Sequence, residues 1–168
     1  YARVMAMRIY NIFPRVAGPF ENWPPLLAAA RLMGFDWIYV NPLHQPGFSG
    51  SLYSIRDYHR TNPDFGDEAA LKAMLVAAHD LGLRVMMDLV INHSSHLHAW
   101  FKESRSSRHN PKADWYIWKD KPAGRKYPNN WASAFGGTAW EWDDTRRQFY
   151  YHMFLKEQPD LNWRNPDL

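Results

Sequence analysis

Asp88, Asn92 and His93 are the residues whose types and spacing point first to chemistry. They lie in and just after an apolar run, Leu83-Arg-Val-Met-Met-Asp-Leu-Val-Ile-Asn-His-Ser-Ser95. A carboxylate, an amide and an imidazole at the end of such a run can hold and orient a polar ligand. In parallel α/β architectures ligands gather beyond the carboxyl ends of the strands, which is where these groups fall. A second chemistry uses the same histidine: His93, His96 and His98 follow a His-x-x-His-x-His spacing that would offer nitrogen ligands to zinc, with Asp88 as a fourth. The alternative to both is an ordinary strand followed by a polar turn.

The elements that must position these residues alternate. Met5 to Phe13 reads as a strand. Leu26 to Met33 reads as a short helix, with Pro24 and Pro25 near its start and Gly34 past its end. Phe35 to Val40, aromatic and β-branched, is a second strand closed by Asn41-Pro42, and a Gly/Ser-rich loop, Gly47 to Ser51, follows. Asp67 to Leu81 carries the helical period through Leu71, Met74, Leu75 and Ala78 and stops at Gly82. The run from Leu83 is then a third strand, and its near-continuous apolar character predicts one buried on both faces. A strand-helix-strand-helix-strand series makes a parallel sheet with right-handed crossovers the economical topology. From His96 to Gln158 the pattern dissolves into an irregular, aromatic stretch, with Tyr150 to Leu155 as a further short element. A segment this long without regular structure is read as a small subdomain rather than a loop.

Composition limits the partners. The chain has 168 residues, 46% of them hydrophobic, enough for a globular core, and a formal charge of +3 with no long Lys/Arg run. Nucleic acid and membrane surfaces are therefore not expected partners, and no apolar run reaches the roughly 20 residues that span a bilayer. Cysteine is absent, which fits a reducing compartment and an expected cytoplasmic location. Aromatic residues make up 16% of the chain, and Trp100, Trp115, Trp118, Trp131, Trp140, Trp142 and Trp163 all lie in its second half. Flat rings with a polar edge suit the apolar faces and hydroxyl rims of sugars; equally, they can build a small core where regular structure is scarce.

Several segments together resemble the α-amylase family of glycoside hydrolases, in its oligo-1,6-glucosidase and α-glucosidase branch. Asp88-Leu-Val-Ile-Asn-His93 resembles the signature at the end of the third barrel strand. Gln158-Pro-Asp-Leu-Asn162 resembles the one that closes the subdomain inserted after that strand. Between them, Asp114-Trp-Tyr-Ile-Trp118 and Asn130-Trp-Ala-Ser-Ala-Phe-Gly-Gly-Thr-Ala-Trp140 also resemble this branch, in the same order. The resemblance implies an α/β fold, a partial (β/α)8 TIM barrel contributing its first three strands, with an irregular subdomain inserted after the third. Residues 1–95 would be the barrel part, 96–157 the insertion and 158–168 the return toward the barrel.

The resemblance also implies roles. His93 would hydrogen-bond a hydroxyl of the sugar at the cleavage point, Tyr53 would stack on its ring and Phe135 would approach from the subdomain. Asp88 would support the site indirectly, by holding an arginine or a carboxylate. Asn92 matches a position that ligates calcium in some members and is structural in others. No cofactor or metal is expected, and the first strand-to-helix loop, Pro14 to Asn22, lacks the Asp/Asn ladder that binds calcium in many relatives. Ser54 departs from the branch, where an aspartate commonly grips the outermost glucose.

The implied activity is hydrolysis or transglycosylation of α-glucosides by retaining double displacement, which needs two carboxylates about 5–5.5 Å apart. The family places them after the fourth and fifth strands, so they are expected beyond Leu168, and the remainder of the barrel would be a partner. Within the chain, Asp57, Asp88, Glu141, Asp143, Asp144, Glu157 and Asp160 are mostly read as solvated turn charges or caps. A non-catalytic glycan-binding or scaffold protein on the same fold is the alternative function.

Overall fold

The structure, a computed structural model, describes residues 7–48 and 51–168. Met5 and Ala6 of the expected first strand, and Ser49 and Gly50 of the expected loop, lie outside the described residues. In chain order the elements are β1 (Ile9–Ile12), α1 (Pro14–Ala17), a 3-10 turn (Phe20–Asn22), α2 (Pro24–Leu32), β2 (Trp37–Val40), β3 (His44–Pro46), β4 (Ile55–Thr61), α3 (Glu68–Asp80), β5 (Arg84–Met87), α4 (Ala99–Ser106), β6 (Trp118–Lys119), β7 (Trp140–Asp143) and β8 (Gln148–Tyr151). They form two compact units, residues 1–45 with 58–89, and residues 46–57 with 90–168. No helix of the described residues is long and apolar enough to cross a membrane.

The first unit holds a parallel sheet of order β1-β2-β5, with Ile38 opposite Tyr10 on one side and Val85 on the other. The two crossover helices begin and end as their sequences dictate. Pro24 and Pro25 occupy the first positions of α2, where a missing N–H leaves no bond unmade. Asp67 caps α3 by accepting from the Ala70 amide at 2.8 Å. Gly34 and Gly82, at φ of 85° and 72°, end the two helices with the same double bond pattern. The glycine N–H donates to the carbonyl three residues back, and the next residue donates to the carbonyl five back. Each helix is thereby turned straight into its strand. Trp23, Leu27, Ala30, Ile38, Val40, Met74, Ala78 and Leu83 are all buried in the resulting core.

The expectation of a third strand covered on both faces is not met. Ladder pairing ends at Met87, and Met86 and Met87 are 39% and 45% exposed. The reason is positional: β5 is an edge strand of a three-stranded sheet, and among the described residues Met86, Met87, Leu89 and Ile91 stay exposed while Leu83 and Val90 of the same run are buried. This sheet is part of a parallel α/β architecture and is not closed.

The second unit corrects the expectation of irregularity. It contains α4 and a three-stranded antiparallel sheet of order β6-β8-β7, with Trp118 opposite Tyr150 and Trp142 opposite Phe149. Phe101, Tyr116, Tyr150 and Leu161 form its core, with Trp100, Trp115 and Trp118 packed against them. Phe101 meets Tyr116 and Tyr150 edge to face, at 5.0 and 5.1 Å. Most of the tryptophans thus build core, whereas Trp131 and Trp163 stand exposed.

The segment from Glu157 to Asn162 ties this unit together. On one side Ser94 and His96 donate to the carbonyls of Pro159 and Glu157, and Leu161 donates to that of Asn92. On the other, Asp160 and Asn162 donate to the carbonyls of Tyr151 and Trp115.

Candidate functional site

Tyr53, His93 and Phe135, separated by 40 and 42 positions in sequence, line one pocket of about 300 Å³ in the second unit, together with Ser51, Phe154, Leu155 and Gln158. Each is held by local bonds. The Tyr53 amide donates to Ser51 Oγ at 3.1 Å. Phe135 sits on a turn whose next two residues, Gly136 and Gly137, both have positive φ (90° and 77°). The Phe135 amide donates to Ser133 Oγ, which itself donates to the Phe154 carbonyl at 2.7 Å. The Phe135 ring is 69% exposed and lies 6.2 Å from that of Phe154, which in turn lies 5.2 Å from the His93 imidazole. The pocket therefore has aromatic walls and a histidine edge.

His93 is buried, and its ring is oriented through both nitrogens. Asn92 Nδ2 lies 3.2 Å from Nδ1, and Nε2 lies 3.0 Å from the Tyr53 carbonyl. An amide NH₂ can only donate and a carbonyl only accept, so these partners assign the proton to Nε2. Burial pushes the His93 pKa below its ordinary 6.5, an effect the Tyr53 carbonyl partly opposes. Burial thus favours the neutral ring, whose Nε2 lies beside the Tyr53 carbonyl at the pocket edge.

Asn92 links this histidine to a buried carboxylate. Its Nδ2 also donates to Asp160 Oδ2 at 3.1 Å, while Asp160 Oδ1 accepts from the Met153 amide at 2.9 Å. Burial raises the Asp160 pKa from 3.8 to about 6 despite these two donors. Asn92 Nδ2 thus bridges the His93 ring and the Asp160 carboxylate. Asp88, in the first unit, accepts from the Tyr39 hydroxyl at 2.8 Å, so its partner among the described residues is a phenol rather than an arginine or a carboxylate. Ser54 is fully buried, with its Oγ 3.5 Å from the Glu157 carbonyl.

Two expectations need correction. Asp143 and Asp160, read from sequence among mostly solvated charges, are buried. Asp143 pairs with Arg105 at 2.8 Å and accepts from the Arg146 amide, so its charge is engaged in holding the β7–β8 turn. The zinc arrangement fails on geometry. His93 addresses Asn92 and Tyr53, His96 Nδ1 faces the Glu157 carbonyl, and His98 Nδ1 caps α4 by accepting from the Trp100 amide. No group of three metal-ligating side chains converges among the described residues.

Sequence reasoning missed Ser51, Phe154, Leu155 and Gln158 as pocket walls, and Asp160 as the anchor of Asn92. The Gln158 to Asn162 motif was the available signal, since its Gln158 and Asp160 are buried polar residues and Gln158 lines the pocket.

Comparison with known proteins agrees with this architecture. Residues 29–168 match the family model described as alpha amylase, catalytic domain. The chain is 44% identical over 168 residues to a probable alpha-glucosidase of Rhizobium meliloti (strain 1021), a match that takes in 95% of this chain and 30% of that protein. It is 42% identical over 166 residues to the oligo-1,6-glucosidase of Heyndrickxia coagulans, with 94% and 30% covered. Among solved structures it superposes on the alpha-glucosyl transfer enzyme XgtA with a TM-score of 0.90 at 42% identity, covering 96% of this chain and 32% of that one. On the trehalulose synthase MutB of Pseudomonas mesoacidophila MX-45 the TM-score is 0.89 at 37% identity, with 96% and 30% covered. The chain spans about 30% of the length of the curated relatives it matches. By its family match and by the identity it shares with these enzymes along nearly its whole length, the chain belongs to the alpha-amylase family and forms part of a catalytic domain of that kind.

Proposed function

We propose that the chain is the front part of a retaining α-glucoside-processing enzyme, a glycosidase or transglycosylase, with residues 1–95 supplying the first three barrel strands, 96–157 the inserted subdomain and 158–168 the return toward the barrel. The observation that carries this reading is the convergence of Tyr53, His93 and Phe135 on one pocket. In the reaction a carboxylic acid protonates the leaving oxygen while a carboxylate attacks the anomeric carbon, and water or another sugar then takes the glycosyl group. Both carboxylates belong to residues beyond 168 in this reading. The residues present bind and orient: the aromatic walls exclude water from one side of the sugar, and the His93 Nε2–H, now on the Tyr53 carbonyl, is the donor a sugar hydroxyl would share. Relatives named as alpha-glucosidase and oligo-1,6-glucosidase, and neighbours solved with sucrose and isomaltulose, support an α-glucoside substrate. A cytoplasmic location belongs to the same reading.

The test is kinetic and uses the full-length protein. His93→Ala should lower kcat more than it raises KM on a nitrophenyl α-glucoside, because a hydroxyl contact that tightens as positive charge develops acts on the barrier. An unchanged kcat with a raised KM alone rejects that role for His93. A full-length protein that binds α-glucosides and turns none over replaces the enzyme reading with the glycan-binding one.

A further inference from the structure

A second hollow in the same unit, of about 450 Å³, shares no lining residue with the pocket of Tyr53, His93 and Phe135. Its platform is Trp131, which is 56% exposed yet rigidly backed. Its ring lies within 19° of parallel to that of Trp140, at 6.3 Å, and meets Tyr151 edge to face at 5.5 Å. Asn129 locks the pair: one Oδ1 accepts both the Trp140 indole N–H at 2.7 Å and the Trp131 amide at 3.0 Å.

The rim around this platform is polar. Asp114, Lys119, Asn129 and Arg164 all line the hollow, and among the described residues no hydrogen bond or ion pair engages the Asn129 Nδ2 group, the Asp114 carboxylate or the Arg164 guanidinium. Asn162 fixes the rim by donating to the Asp114 carbonyl at 2.8 Å.

We propose that this hollow is a further oligosaccharide-binding site, taking a neutral pyranose unit of an α-glucan against Trp131. A sugar ring offers an apolar C–H face to an indole and adjacent hydroxyl pairs to planar side chains. Asp114, Asn129 and Arg164 supply acceptor and donor pairs of that planar kind. Asp114 shares the rim with Lys119 and Arg164, so a carboxylate faces any anion and two cations face any cation, a mixture that suits an uncharged polyol. The volume lies in the range of small-ligand sites. The inference is independent of the hydrolytic reading, since it holds equally for a protein that only binds glycans.

Affinity electrophoresis of the full-length protein through gels containing soluble starch or dextran tests it, alongside turnover of a nitrophenyl α-glucoside. Starch or dextran should retard the wild type. Trp131→Ala should weaken that retention about tenfold, the size of one lost aromatic platform, and Arg164→Ala, at an exposed side chain whose removal leaves the core untouched, should weaken it severalfold. Both variants should keep wild-type kcat/KM on the small substrate. Wild-type retention in both variants, or no retention of the wild type by either polymer, overturns the proposal. A loss of small-substrate turnover in step with retention also overturns it, because the hollow would then be part of the reaction pocket. A protein with no turnover whose retention still depends on Trp131 and Arg164 upholds this site and refutes only the enzyme reading.

Discussion

Asp160→Asn isolates the charge at the root of the pocket. In the folded chain the Asp160 carboxyl titrates near 6, against an ordinary 3.8, because burial outweighs the bonds from Asn92 and the Met153 amide. Each tenfold change in proton affinity is worth about 1.36 kcal/mol, so the displacement corresponds to at most about 3 kcal/mol. Between pH 3.8 and 6 the folded chain holds a proton that the unfolded chain has released. Stability must therefore fall as pH rises through that window and level off above it. Asparagine carries no titrating proton and keeps an acceptor for the Met153 amide, but it sets an NH₂ against the Asn92 donor, which costs about 1 kcal/mol at every pH. Urea unfolding of the full-length protein and its Asp160→Asn variant, taken from pH 4 to pH 8, should show the variant gaining about 2–3 kcal/mol on the wild type as pH rises. A difference that stays constant across this range within about 0.5 kcal/mol would refute the reasoning, because Asp160 would then titrate alike in both states.

Two further substitutions test the packing that presents the site. A methyl group at Gly47 would collide with the Oγ and Cβ of Ser95, so Gly47→Ala should destabilise by about 1–3 kcal/mol in a thermal melt, with Ser95→Gly in the same molecule recovering part of the loss; additive effects would exclude the collision. Arg146 donates to Gln148 Oε1 and to the carbonyls of Ser104 and Ser107, and lies 4.4 Å over the Trp118 ring. Arg146→Lys cannot keep that fork, and a loss of about 2–4 kcal/mol is expected; a melting temperature within 1 °C of wild type would contradict it.

The parts of the fold that sequence reading recovers are those with a strong local grammar. Proline at the start of α2, Asp67 before α3, and Gly34 and Gly82 behind them are side chains whose local bonds do not depend on the rest of the molecule. The second unit offers no such grammar. Its strands are two to four residues long, too short for an alternating pattern to stand out, and they are aromatic on both sides. α4, Ala99–Ser106, is mostly polar and is capped by a histidine, an unusual starter. β4 carries Arg56, Asp57, His59 and Arg60 and so reads as loop. For the site, three separated residues could be named through a resemblance, but the buried state of Asp143 and Asp160 could not. A carboxylate's environment is set by tertiary neighbours, and only the folded chain puts Asn92 and the Met153 amide against Asp160.

The Glu157 to Asn162 segment works as a clasp. It fastens the start of the long excursion, at Asn92 to His96, to its end, and the pocket residues His93, Phe154, Leu155 and Gln158 cluster at that fastening. The tip of the β6–β7 connection, along the mostly exposed stretch from Lys121 to Lys126, contributes no residue to the pocket lining. Closing a longer loop costs only about 0.6 kcal/mol per doubling of its length. The tip can accept insertions, or even a protease nick, while the clasp keeps the two ends in register. In such a design the reach of the subdomain can vary while the shape of the pocket is conserved.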